Sequence, residues 1–283
     1  MNEQALACRE RVAGSVLSRD LVLKLLLIVP CANGLAARII TKIHDNGFLS
    51  ALASSFDVSA IVWLACLAGC LLLAEKVPGG ARNLDLAAVA LVFSLCLVPI
   101  LTLNWAALTI AAFYVAAVTR DGSPLYRASL IALAITGPMA WGPELLNAVF
   151  EPFQVIDAQL VSLLVGAGQV GRSVEVVDGS ARIFIAPGCS SFHNISLALL
   201  GWVTATNFFA SQDGARNQLS WCLVACSGVL LINVTRIALI GLYPRYYDAI
   251  HGQPGEVIAN LLSLGWIGAI CLLGVRDELR KAV

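Results

Sequence analysis

The feature that most constrains this chain is a succession of apolar runs, each about the length that crosses a bilayer. The hydrocarbon core takes about 20 helical residues. Runs of that kind recur along the 283 residues at 20–39, 58–75, 84–101, 104–119, 126–142, 191–210, 217–235 and 257–275. Only 13 % of the chain is charged and 59 % is hydrophobic, against about 25 % and 45–50 % in soluble domains. Such a chain cannot clothe a water-facing surface. A disordered chain, a basic nucleic-acid binder and a small secreted disulfide scaffold are excluded. The expectation is an all-α polytopic membrane protein with about eight transmembrane helices, one integral domain over 1–283. It sits in a lipid bilayer and binds no nucleic acid.

The division expected along that domain is N-terminal helices over 1–143, an outer loop over 144–190 and a last group of helices over 191–275. Thr102, Leu103 and Asn104 read as a tight hairpin between the third and fourth spans. Segment 145–167 is apolar but carries Glu151, Pro152, Gln154, Asp157 and Gln159. It reads as an interfacial or outer-side helix, with a ninth crossing as the alternative. Further on, two short apolar runs flank Asp178-Gly179, a good hairpin turn. A small outer-face β-hairpin is therefore expected near 173–185.

Charge placement gives the orientation. With the N-terminus inside, twelve of the 18 Lys and Arg residues fall on the inner side. The outer six are Arg38, Lys42, Arg172, Arg182, Arg236 and Arg245. The positive-inside rule then favours both termini in the cytoplasm and an even number of spans. The expected location is the cytoplasmic (inner) membrane, with the 142–190 and 240–256 loops on the outer, periplasmic side. The first apolar run lacks a small-residue cleavage site and reads as a signal anchor.

Cysteine and histidine placement narrows the chemistry. Cys31, Cys66, Cys70, Cys96, Cys222, Cys226 and Cys271 lie inside apolar runs, and Cys8 lies in the N-terminal segment. Buried cysteines behave as small hydrophobes. The pairs Cys66/Cys70 and Cys222/Cys226 have no His or carboxylate in the same span, so no metal and no cofactor is expected. Cys189 differs: it stands in Pro-Gly-Cys-Ser-Ser-Phe-His-Asn (187–194) at an outer membrane boundary just before a helix. A helix N-terminus favours a thiolate; a small, inert capping residue is the other reading. His193, four residues on, and His251, in the second outer loop, are both candidate partners for it. His44 lies near Lys42 and Asp45 and is expected to be solvated.

Arg236 ends a long apolar run. An arginine near hydrocarbon costs at least about 2.5–3.5 kcal/mol, so it either snorkels to the interface or serves a polar site. Asn233, three residues earlier, favours the site. Arg245, among Tyr243, Tyr246 and Tyr247, reads as an interfacial anchor.

Gly-Cys-Ser-Ser (188–191), Asn-x-x-Arg-Ile (233–237) and His-x-x-x-Gly (251–255), in that order between hydrophobic spans, resemble the exosortase/archaeosortase family. The resemblance is strongest over about 150–275. It implies a multi-pass membrane cysteine peptidase or transpeptidase acting on exported proteins. Their C-terminal tails carry a short motif (Pro-Glu-Pro in the bacterial type), a transmembrane helix and a basic cluster. By resemblance Cys189 is the nucleophile, Arg236 the stabilising arginine and His251, rather than His193, the proton-transfer residue. Ser190, Ser191, Asn233 and His193 are supporting residues, with backbone N–H groups near Ser190 and Ser191 expected at the oxyanion. Ser191 stands where the bacterial pattern has glycine, a departure that marks a divergent subgroup. The competing expectations are a transporter or channel, and a non-catalytic scaffold of an envelope assembly system. No intramembrane Asp/Glu pair favours the transporter.

Overall fold

The structure is a computed structural model and describes residues 17–140, 151–177, 179, 181–186, 189–210, 215–276 and 279–280. Cys8, Arg9, Arg11, Asp178, Pro187 and Gly188 lie outside the described residues. The helices are α1 (Arg19–Asn46), α2 (Phe48–Ala53), α3 (Ala60–Leu72), α4 (Asn83–Leu97), α5 (Leu101–Val118), α6 (Pro124–Ala140) and α7 (Glu151–Val165). Three short strands follow: β1 (Gln169–Val170), β2 (Ser173–Glu175) and β3 (Arg182–Phe184). The chain ends in α8 (Ser191–Phe208), α9 (Ala215–Leu242), α10 (Tyr247–His251) and α11 (Gln253–Gly274). It divides into two compact units, one of Met1–Val58 with Cys66–Leu133, the other of Ser59–Ala65 with Ala134–Val283.

The expectation of eight spans is not supported. Among the described residues four helices are long and apolar enough to cross a membrane: α1, α5, α9 from Asn217, and α11. The runs 58–75 and 84–101 overestimated their helices, because hydropathy does not register where a helix stops. α3 has 13 residues and α4 has 15, about 20 and 22 Å at 1.5 Å per residue. α8 has 18 residues but carries Ser191, His193, Asn194, Ser196 and Asn207 among its apolar positions.

The turn expected at Thr102–Asn104 is also displaced. The break lies earlier, where Val98 and Ile100 are extended around Pro99. Proline disfavours the helical conformation in the residue before it and lacks an N–H. Asn104 is instead buried inside α5 and accepts a hydrogen bond from Asn33 Nδ2 of α1 at 2.6 Å. Residues 41–57, between the first two apolar runs, are mostly helical, since α1 runs on to Asn46 and α2 follows. His44, as expected, is solvated beside Asp45.

In the first unit α1, α4 and α5 pack together. Fully buried Asp85 ties their ends, accepting from Arg19 Nε (3.3 Å), Arg82 N (2.7 Å) and Tyr114 Oη (2.6 Å). A buried carboxylate persists only with such complete pairing.

In the second unit α9 packs against α7, α8 and α11. The expected hairpin is present: β2 and β3 are antiparallel, with Ser173 opposite Phe184, Val174 opposite Ile183 and Glu175 opposite Arg182. β1 was not foreseen; it adds to β2 and gives the sheet order β1-β2-β3. One side of the hairpin joins a core of Val161 and Ala158 from α7, Val174 and Ile185 from the sheet, and Val234, Ile237 and Ala238 from α9. Full burial of each Val or Ile contributes about 1.5–3 kcal/mol. This core holds the sheet against the end of α9, where the polar residues gather.

Candidate active site

Three chain segments meet at one end of the second unit: the start of α8, the last turns of α9, and α10 with the start of α11. α9 carries the means of joining them. Asn233 Nδ2 donates to the Cys189 carbonyl oxygen (2.8 Å) and to Ser191 Oγ (3.1 Å). One turn later, Arg236 donates from Nε to the Ile250 carbonyl (3.1 Å) and from Nη2 to the His251 carbonyl (3.0 Å). Residues three apart on a helix share a face. The Asn-x-x-Arg pattern thus grips the cysteine segment with one side chain and the histidine segment with the other.

The result is a thiol–imidazole pair from residues far apart in sequence. Cys189 Sγ lies 3.9 Å from His251 Nε2. The His251 ring stacks on Tyr247, one turn earlier in α10, with centroids 4.9 Å apart and planes 9° from parallel. Stacking fixes the ring plane and leaves Nε2 towards sulfur. His193, the other candidate base, is exposed in the first turn of α8 and does not line the cavity beside Cys189.

His-x-x-x-Gly has a steric basis. A Cβ on Gly255 would stand 2.0 Å from the Ile250 carbonyl oxygen and 2.8 Å from that of Ala249. Only glycine lets the first turn of α11 pack so tightly on the end of α10. The Ile250 carbonyl it accommodates is the one that Arg236 holds.

Asp157 completes the site and was not recognised as part of it; its only signal was an acid within an apolar stretch. It is buried in α7, and its Oδ2 accepts from Ser190 Oγ (2.8 Å) and Ser191 N (2.9 Å). Ser190 is the N-cap of α8 and accepts from Phe192 N. A carboxylate at a helix N-terminus is favoured by the free N–H groups and by the dipole. The Ser191 N–H, expected at the oxyanion, is instead committed to Asp157, and the Cys189 N–H to the Ala186 carbonyl. Burial pushes the Cys189 thiol above its ordinary value; Arg236 pulls it down and Glu256 pushes it up.

A cavity of about 400 Å³ opens beside the pair. Cys189 and His251 lie in its wall with Ile237 and Ile240 of α9, Tyr247 of α10, and the run 181–185 of the hairpin. Its size falls in the range of ligand pockets, about 300–1,000 Å³. The described cysteines are free thiols, and among them Cys189 lines this cavity. Arg245 lies over the Tyr246 ring, 4.7 Å from its centroid.

No protein-family model, no curated protein and no solved structure matches this chain.

Proposed function

We propose that the protein is a membrane-embedded cysteine peptidase or transpeptidase that processes C-terminal sorting tails of exported proteins. The tails carry a short motif, a transmembrane helix and a basic end, and the reaction takes place at the outer face of the cytoplasmic membrane. The observation that carries this reading is the Cys189–His251 contact at 3.9 Å in the wall of a cavity. A thiol and an imidazole 62 positions apart are held together by the side chains of Asn233 and Arg236. That is the arrangement of an activated nucleophile.

The chemistry follows from the geometry. With its thiol held neutral by burial, Cys189 needs a base at the moment of attack, and His251 Nε2 is the group in reach. Sulfur bonds to the scissile carbonyl carbon as the proton passes to His251. The imidazolium then gives that proton to the departing amine, and the C–N bond breaks. Water or an acceptor amine, deprotonated by the same imidazole, releases the acyl group from the thioester. Acid–base help of this kind contributes about 10²–10⁴ in rate. The Ser190 N–H and the N–H groups of Arg236 not used on carbonyls are the donors left for the oxyanion. One such donor is worth about 10²–10³. Arg236 is then chiefly a positioning residue that orients His251 through its backbone.

The test is Cys189→Ala in the full-length protein, reconstituted with a tail-bearing precursor. Processing should be lost while insertion and thermal stability remain those of the parent. Processing that survives in this variant refutes the assignment.

A further inference from the structure

The cavity beside Cys189 has an unusual wall. Five consecutive residues of the hairpin, 181–185, line it. A sheet face offers alternate side chains, period two; Val176, Ala181, Ile183 and Ile185 share one face, and the intervening Arg182 and Phe184 reach the cavity at the edge of the strand. β3 is an edge strand, paired with β2 on one side only.

The register says which backbone groups that edge presents. Val176 N donates to the Ala181 carbonyl (3.1 Å) and Ile185 N to the Arg172 carbonyl (2.9 Å). In an antiparallel ladder such bonded pairs alternate with non-bonded ones. Val174 and Ile183 therefore form the bonded pair between them, while Glu175–Arg182 and Ser173–Phe184 are non-bonded pairs. The N–H and C=O groups of Arg182 and Phe184 point away from β2. Among the described residues no backbone group pairs with them. Exposed edges are normally blunted or covered, because they invite another strand. This one borders a cavity whose wall also holds Ile237, Ile240 and the Cys189 thiol.

We infer that the peptide substrate binds as an added strand on the free edge of β3. An extended segment beside the scissile bond takes its main-chain hydrogen bonds from Arg182 and Phe184. Its alternate side chains face Ile237 and Ile240, and the bond to be cut lies at Cys189. This rests on the peptidase reading and adds how that site holds its substrate. Main-chain pairing gives affinity without demanding particular side chains, so sequence preference falls to the pocket between β3 and α9.

The test uses the whole protein in liposomes and the probe acetyl-tetraalanine chloromethyl ketone. The Cys189 sulfur displaces chloride from this probe, and labelling at Cys189 is read by mass spectrometry. Dividing its rate by that of iodoacetamide separates peptide docking from thiol reactivity. Probes N-methylated at one alanine at a time each remove one donor. Loss of a hydrogen bond should slow labelling up to about tenfold, and the slowing should alternate along the probe with period two. Phe184→Pro, which removes one outward N–H of an edge strand where proline is tolerated, should lower the same ratio by a similar factor. The N-methyl series keeps the test decisive if that variant does not fold. Rates within twofold at every methylated position, or slowing without alternation, overturn the inference. Because labelling needs no turnover, a protein that labels in the alternating pattern but cleaves no tail refutes the peptidase reading alone.

Discussion

Arg236→Lys separates a positioning arginine from a snorkelling one. Both side chains keep a positive charge and both reach an interface. Only arginine presents a planar fork, here donating to two successive carbonyls, Ile250 and His251, at 3.1 and 3.0 Å. A lysine ammonium satisfies one of them. Hydrogen bonds from charged donors are worth about 1.5–3 kcal/mol each, so the histidine segment loses about that much restraint. At about 1.4 kcal/mol per tenfold, the productive placement of His251 becomes roughly 10- to 150-fold rarer. Single-turnover processing by the reconstituted protein should fall by the same factor. The pH profile of Cys189 alkylation should barely move, since the cation that lowers the thiol is retained. Turnover within twofold of the parent would falsify the clamp and leave Arg236 as an interfacial anchor.

Four further expectations follow from the same geometry. Gly255→Ala places a methyl against the Ile250 carbonyl; α10 must shift, and processing should drop about 100-fold, the cost of roughly 1 Å of misplacement. Glu256→Gln removes the charge that raises the Cys189 thiol, so the alkylation profile should move to lower pH. Removing the Arg236 charge with Arg236→Met should move it to higher pH, and the reverse order of the two midpoints would show the electrostatics to be misassigned. Asp157→Ala strips the buried acceptor of Ser190 Oγ and Ser191 N. It should cost about 2–3 kcal/mol, or about 4–12 °C in Tm at this size, measured by thermal unfolding in detergent.

The sequence alone disclosed where the helices lie better than how long they are. The runs 104–119 and 257–275 correspond closely to α5 and α11, because a long apolar stretch without proline or glycine pairs has one stable form in lipid. The run 84–101 overshot α4, since Pro99 ends it by backbone chemistry that hydropathy does not register. The hairpin was legible from Asp178-Gly179 and the short apolar runs around it. β1 was not, because two residues carry no pattern. Asn233 and Arg236 stood out as polar residues in an apolar run, Cys189 as a thiol at a span boundary and His251 as a loop histidine, and the fold brings all four together. Asp157 stood out in the same way, but its partnership with Ser190 spans 33 positions, and no local spacing encodes a contact made by helix packing.

The two α9 side chains grip main-chain oxygens, those of residues 189, 250 and 251. The chemistry belongs to side chains and the alignment to the backbone, so the two are separable. Disarming the protein by Cys189→Ala or His251→Ala leaves every one of those bonds with its acceptor. An inactive variant should therefore keep its docking groove intact and hold an uncleaved tail in place. Given the proposed peptidase activity, the same clamp makes the disarmed protein a bait for its tail-bearing substrates.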